Sequence, residues 1–209
     1  MLAERMNTFS GSPTSALIAK VAELRAEGKD IISLNVGEPD FGTPDYIKCG
    51  AIKAIVDNFS KYTAGNGIIE LRRLISKKLH EDNNLEYTTD EICVTVGAKQ
   101  AIFNSIMALV DPGDEVLLPV PCWVSYTEMI KFAGAKPVFV DVEAETFDLD
   151  IEALEKAVTT KTKAIVICTP NNPTGAVYSE GTLRKLADLA CKYDFYICLL
   201  YTSDAADDL

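Results

Sequence analysis

The stretch "EICVTVGAKQAIFNSIMALVDPGDEVLLPV", residues 91–120, predicts the fold. An apolar segment typical of a strand (91–96) is followed by a helix with its apolar residues on one face, a "DPGD" turn and a second apolar strand (115–120). Apolar strands that alternate with helices are typical of βαβ units, in which helices cover both faces of a mostly parallel sheet. We therefore predict an α/β protein with three layers, α/β/α.

The same alternation extends in both directions from this stretch. Downstream, the pattern predicts three more strands with helices between them: strands at 136–142, 163–168 and 194–200, and helices at 123–133, 150–158 and 180–193. Upstream, it predicts a short strand, three helices and two shaped loops: the strand at 30–36, helices from about 13, 45 and 68, and loops at 37–44 and 60–67.

Composition and charge argue against several classes of protein. The 209 residues include 31 acidic and 20 basic side chains, a net charge of −11, whereas nucleic-acid binding requires a basic surface. Six cysteines without a C-x-x-C pair and a single histidine predict no metal site. The sequence shows neither an apolar signal segment nor a run that approaches a membrane span. We therefore predict a cytoplasmic protein without a nucleic-acid or membrane partner.

Ligands of parallel α/β sheets bind at the carboxyl ends of the strands, so the loops there are candidate sites. After the first predicted strand come Gly97, Ala98 and Lys99, at the start of a helix. Small residues and free amides at a helix start suit a phosphate, although a glycine at such a joint is also common for structural reasons. The usual glycine-rich nucleotide signatures do not occur in this sequence.

Two further side chains follow predicted strands. Trp123, the only tryptophan, is compatible with a core residue or with a ring that stacks on an aromatic cofactor. Asn172 lies between Asn171 and Pro173, which restricts its backbone. Its carboxamide is equally compatible with a hydrogen bond to a ligand oxygen and with an Asx-turn that closes the strand.

Five motifs share an order and an approximate spacing: "SLNVGEPDFGTP" (33–44), "KYTAGNGIIELR" (61–72), "VTVGAKQAIFN" (94–104), "PCWVSYTEM" (121–129) and "TPNNPTGAVYS" (169–179). In these motifs the chain resembles the class I/II aminotransferases, fold type I enzymes that use pyridoxal 5′-phosphate. It is most similar to the bacterial-type aspartate aminotransferases, and the resemblance runs from about residue 3 to residue 197.

The resemblance implies a role in cofactor binding for the residues singled out above. The amides of Gly97, Ala98 and Lys99 would hold the cofactor phosphate. Trp123 would stack on the pyridine ring, and Asn172 would donate to the phenolic oxygen of the ring.

The resemblance also implies substrates and a second subunit. Gly37 would let a substrate carboxylate approach the backbone, with Trp123 and Asn172 also bordering the substrate. Tyr62 would reach the phosphate of the neighbouring subunit's cofactor, which implies a homodimer. The implied reaction transfers an amino group from an amino acid such as aspartate to a 2-oxo acid. The alternatives are another fold type I enzyme, such as a lyase, and a non-catalytic module on the same fold.

The resemblance stops near the end of the chain. In register, the family's aspartate that pairs with the pyridinium nitrogen falls at Leu200, and a family tyrosine falls at Ser203. No lysine of this sequence matches the motif of the lysine that binds the cofactor covalently, and that lysine is expected downstream. We therefore predict an N-terminal fragment that is inactive by itself and contains no catalytic residue.

The fragment is predicted to comprise three segments. These are an N-terminal arm with a small-domain segment (1–40), an incomplete cofactor-binding large domain (41–197) and a non-native tail (198–209).

Overall fold

The computed structural model describes residues 3, 6–7, 11, 13–34, 37, 39 and 41–201. The chain divides into two compact units. The larger unit combines Met1–Val36 with Ile102–Leu209, and the smaller unit is Gly37–Ala101. The predicted division at residues 40 and 197 stays a prediction.

A four-stranded parallel sheet forms the centre of the larger unit. Its strands are β1 (Glu115–Val120), β2 (Lys136–Asp141), β3 (Thr162–Thr169) and β4 (Tyr196–Tyr201). The strand order is β2-β1-β3-β4, and every neighbouring pair is parallel. The predicted parallel α/β architecture is therefore confirmed.

Seven α-helices are present in the described part of the chain. They are α1 (Pro13–Ala26), α2 (Asp45–Val56), α3 (Ile69–Asn83), α4 (Gly97–Leu109), α5 (Ser125–Phe132), α6 (Ile151–Ala157) and α7 (Glu180–Tyr193). Side-chain caps set two of the starts, since Asp150 accepts a hydrogen bond from the Ala153 amide before α6 and Ser179 accepts one from the Thr182 amide before α7.

Alternation along the strands separates two hydrophobic clusters, one on each face of the sheet. The first cluster contains Val116 and Leu118 of β1 together with side chains of α4 and α5. The second contains Leu117 of β1 together with side chains of α6 and α7. Successive strand residues point to opposite faces, so β1 contributes to both layers of packing. The three-layer arrangement follows from this division.

The predicted strand at 91–96 is absent. A short 3-10 helix occupies Thr89–Glu91, and the residues after it pair with no strand in the described part of the chain. The Val94 amide donates instead to the carbonyl of Asn66, at 3.1 Å. A strand requires a neighbour for its ladder, and the smaller unit provides none among its described residues. The prediction for 30–36 also fails over its described part, 30–34, while residues 35 and 36 lie outside it.

Glu115 links three segments at the amino-terminal end of the sheet. Its carboxylate accepts hydrogen bonds from the Thr159 hydroxyl (2.6 Å) and from the ammonium group of Lys136 in β2 (3.1 Å). The Thr159 hydroxyl, followed by Lys136, lowers the pKa of Glu115 below its ordinary value. The charged carboxylate is therefore the form that stabilises this end of the sheet.

We expect Glu115→Gln to lower the free energy of unfolding by about 1–2 kcal/mol at pH 7, because a charge-assisted contact is lost. Since the folded pKa is depressed, this stabilisation is present above the ordinary pKa and is lost as the pH falls through the folded pKa. Urea unfolding at pH 7 and at pH 3 measures the difference. The exposed Glu152 of α6 provides the control, Glu152→Gln. An equal effect of Glu115→Gln at both pH values would contradict the prediction.

Candidate functional site

Two loops leave the same end of the sheet, because β1 and β3 are parallel neighbours. Trp123 is in the loop after β1, and Asn172 is in the loop after β3. Since the carboxyl ends of β1 and β3 are neighbours at this edge of the sheet, the two loops start side by side.

Asn171 closes the loop after β3. Its side-chain oxygen accepts hydrogen bonds from the Thr174 amide (3.3 Å) and the Thr174 hydroxyl (3.1 Å). Its side-chain nitrogen donates to the Tyr178 hydroxyl at 3.1 Å. Its amide donates to the Ala176 carbonyl at 2.8 Å, and its carbonyl accepts from the Gly175 amide at 2.7 Å. The buried asparagine of the pair therefore has the structural role.

Asn172 differs from its neighbour in every one of these respects. Its side chain is exposed and forms no hydrogen bond with the part of the chain that the structure describes. The peptide bond to Pro173 is cis. The Asx-type closure considered for Asn172 is made by Asn171, and the carboxamide of Asn172 faces outward, at the carboxyl end of the sheet.

Trp123 is half-buried. Its indole ring meets the ring of Tyr126 edge to face, with 5.3 Å between centroids and an interplanar angle of 89°. Both residues pack with the first hydrophobic cluster, which includes Ile130. The Tyr126 hydroxyl is buried and has no hydrogen-bond partner of good geometry among the described residues. The hydrophobic cluster therefore packs against the indole, which is still partly exposed.

The start of α4 belongs to the smaller unit. Gly97 has a φ of +76°, a left-handed conformation that favours glycine, and a Cβ at this position would contact nothing within 4 Å. The Thr95 hydroxyl donates to the Gly97 carbonyl at 3.0 Å, and Gln100 accepts from the Val96 amide at 2.6 Å. The helix start is thus open, and hydrogen bonds from residues before and after Gly97 hold it in place. Ala98 and Lys99 continue its first turn.

Gly37 and Tyr62 lie in surface loops of the smaller unit. The Tyr62 side chain is completely exposed, and no atom lies within 4 Å of the position of a Cβ on Gly37. Their predicted roles towards a neighbouring subunit and a substrate carboxylate stay predictions.

Leu200 stands at the position of the family's aspartate but has no carboxylate. It lies in β4 opposite Cys168 of β3, and it packs against the first hydrophobic cluster. An apolar side chain therefore occupies the site predicted for an acid that pairs with the pyridinium nitrogen. Ser203 lies outside the described residues.

Two features are absent from the described residues. Among them, no helix is both long and apolar enough to cross a membrane. No group of three or more histidine, cysteine or acidic side chains in this part of the chain could hold a metal ion.

Residues 29–199 match the family model for aminotransferase class I and II. The chain is 46% identical over 197 residues to a probable aspartate/prephenate aminotransferase of Thermus aquaticus, covering 94% of this chain and 51% of that protein. It is 48% identical over 197 residues to the Aquifex aeolicus protein of the same description, with 94% and 50% covered. The chain thus spans about half the length of the curated relatives it matches.

Solved structures agree with this result. The aspartate aminotransferase from Thermus thermophilus with maleate matches with a TM-score of 0.93 and 44% identity, covering 96% of this chain and 53% of that one. An alanine aminotransferase from Pyrococcus furiosus matches with a TM-score of 0.89 and 33% identity, covering 95% and 51%. Enzymes of this family use pyridoxal phosphate. The family model matches residues 29–199, which is most of this chain. The chain therefore belongs to the class I and II aminotransferases.

Proposed function

We propose that this chain supplies the cofactor-binding residues of an aminotransferase that moves an amino group from an amino acid such as aspartate to a 2-oxo acid. The observation that supports the proposal is the difference between the two adjacent asparagines. Asn171 closes the loop, whereas Asn172 presents a carboxamide without a partner in the described structure. A polar group held at the carboxyl end of a parallel sheet without a structural task suits a ligand.

Several of the residues present, each considered by itself, suit a separate part of pyridoxal 5′-phosphate. The accessible part of Trp123 suits the flat ring, and Asn172 is a donor for the ring oxygen. The open first turn of α4, with Gly97, Ala98 and Lys99, suits the phosphate. Leu200 offers no acid to the ring nitrogen, and this is the part of the fit that fails. When bound, the cofactor supplies an electron-withdrawing ring that stabilises negative charge at the α-carbon of the amino acid.

We further propose a cytoplasmic homodimer. The fully exposed ring of Tyr62 supports a role for this residue towards a second subunit, and the open backbone at Gly37 supports the approach of a substrate carboxylate. Six cysteines that form no disulfide suit a reducing compartment.

Trp123 makes the proposal testable, because the only tryptophan reports on the site directly. The probe is pyridoxine 5′-phosphate, which keeps the ring, the ring hydroxyl and the phosphate but has no aldehyde to react with surface lysines. We expect saturable quenching of Trp123 fluorescence. In Asn172→Ala, the dissociation constant should rise about tenfold, because one hydrogen bond to the ring oxygen is lost.

The control for this titration is Asn83→Ala, which removes an exposed carboxamide at the end of α3. It should leave the dissociation constant unchanged. An absence of saturable quenching in the unaltered chain, or equal affinity in Asn172→Ala, would overturn the proposal.

A further inference from the structure

We infer that Asn171 and Tyr178 act as a buried positioning pair, which holds the backbone of the loop so that the Asn172 carboxamide points towards the ring oxygen. The inference rests on the proposed function of Asn172. Asn171 and Tyr178 are 8% and 4% exposed, and the bond between them measures 3.1 Å.

Every polar group of Asn171 has a partner in the loop. Its side chain binds Thr174 and Tyr178, while its backbone binds Gly175 and Ala176. These contacts fix the residue directly before Asn172, so they fix where the next side chain begins and in which direction it leaves the backbone.

Tyr178 connects this arrangement to the sheet. Its amide donates to the Thr169 hydroxyl, at the last residue of β3, with a distance of 3.1 Å. The ring packs in the second hydrophobic cluster, which also contains Ile167 of β3. The loop is therefore anchored to β3 at both ends. Burial also raises the pKa of Tyr178, so its hydroxyl stays neutral at physiological pH.

Asn172 has no such contacts of its own. Because its side chain forms no hydrogen bond with the described residues, its direction is set through its chain neighbours. Removal of the Tyr178 hydroxyl leaves the side-chain nitrogen of Asn171 buried without an acceptor. A buried donor without an acceptor favours a rearrangement of the loop. Binding should then weaken through the hydrogen bond between Asn172 and the ring oxygen. Neither Asn171 nor Tyr178 is proposed to contact that oxygen.

The experiment uses the 209-residue chain, Trp123 fluorescence and two ligands, pyridoxine 5′-phosphate and its 3-deoxy analogue, which lacks the ring hydroxyl. We expect Tyr178→Phe to weaken binding of the first ligand about tenfold and binding of the analogue less than about twofold. In an Asn172→Ala background, Tyr178→Phe should cause no further loss. The control is Tyr193→Phe, which removes an exposed hydroxyl that donates to Glu155 on α6.

Each outcome has a separate meaning. Equal losses for the two ligands, or a full additional loss in the Asn172→Ala background, would indicate a merely structural role and overturn the inference. If Asn172→Ala itself leaves the preference for the hydroxylated ligand intact, the proposed function fails instead. Should Tyr178→Phe not fold by circular dichroism, Thr174→Val removes one donor to Asn171 and should give the same pattern, with a loss of about threefold. Equal losses of affinity for the two ligands in Thr174→Val would also overturn the inference.

Discussion

The 209-residue chain, purified alone, is expected to form no glutamate from aspartate and 2-oxoglutarate beyond the rate of pyridoxal 5′-phosphate without protein. Transamination needs an amine that can move the proton at the α-carbon, and such a base must lie within hydrogen-bond reach of that proton. The loops after β1, β2 and β3, residues 121–124, 142–150 and 170–179, contain no lysine. The sheet lysines, Lys136 and Lys163, lie at the opposite end of their strands.

A coupled assay for glutamate, with the substrates varied, measures this expectation. Because free cofactor transaminates slowly without protein, the relevant comparison is the rate at equal cofactor concentration. A rate that saturates with aspartate and scales with protein concentration would contradict the prediction. Borohydride reduction followed by peptide mass mapping would then identify the lysine that reacted, and Lys163→Ala and Lys136→Ala serve as matched controls for adventitious reaction.

The two central strands of the sheet, β1 and β3, were predictable because they are buried on both faces. Such strands appear as short apolar runs between turn signals, which are visible locally. The predicted strand at 115–120 agrees with β1, and the prediction at 163–168 falls within β3, Thr162–Thr169. Helix starts were predictable for a similar local reason, since a cap such as Ser179 is set by neighbours within three residues.

The strand predicted at 91–96 shows where local pattern stops being sufficient. The segment has the apolar, β-branched character of a strand, but strand formation depends on a partner whose position the segment does not encode. In the smaller unit, the carbonyl of Asn66 takes the Val94 amide instead. The predicted strand was therefore wrong, because an apolar composition does not provide the neighbouring strand.

The two asparagines of "TPNNPTG" could not be assigned separate tasks from the sequence. Each stands next to a proline, and each carries the same carboxamide, so local chemistry is identical. Burial separates them, and burial depends on how Tyr178 packs in the second cluster. Both tasks were therefore considered for Asn172, and the role of Asn171 was missed. The threonine three residues after Asn171 was the available signal, because an Asx side chain often bonds to a residue two or three positions on.

Gly67 connects the loop that carries Tyr62 to the rest of the smaller unit. Its φ is +99°, and a Cβ at this position would lie 2.7 Å from Cγ2 and 2.8 Å from Cβ of Val94. Its carbonyl accepts a hydrogen bond from the buried guanidinium of Arg72 at 3.2 Å, and Arg72 also donates to the Thr89 carbonyl at 2.7 Å. A side chain at position 67 therefore meets both backbone strain and a steric clash within a region fixed by buried hydrogen bonds.

We expect Gly67→Ala to lower the free energy of unfolding by about 2–5 kcal/mol, with about 1–2 kcal/mol from the left-handed backbone and the rest from overpacking. Denaturant unfolding measures the loss, and hydrogen exchange should localise it to Gly37–Ala101. Gly65→Ala in the same loop is the control, because no atom lies within 4 Å of that Cβ. Val94→Ala should recover only part of the loss, because it removes the contact with Cγ2 but keeps the contact with Cβ and the strained φ. Complete recovery would refute the strain, and equal effects of the two glycine substitutions would refute both the strain and the clash.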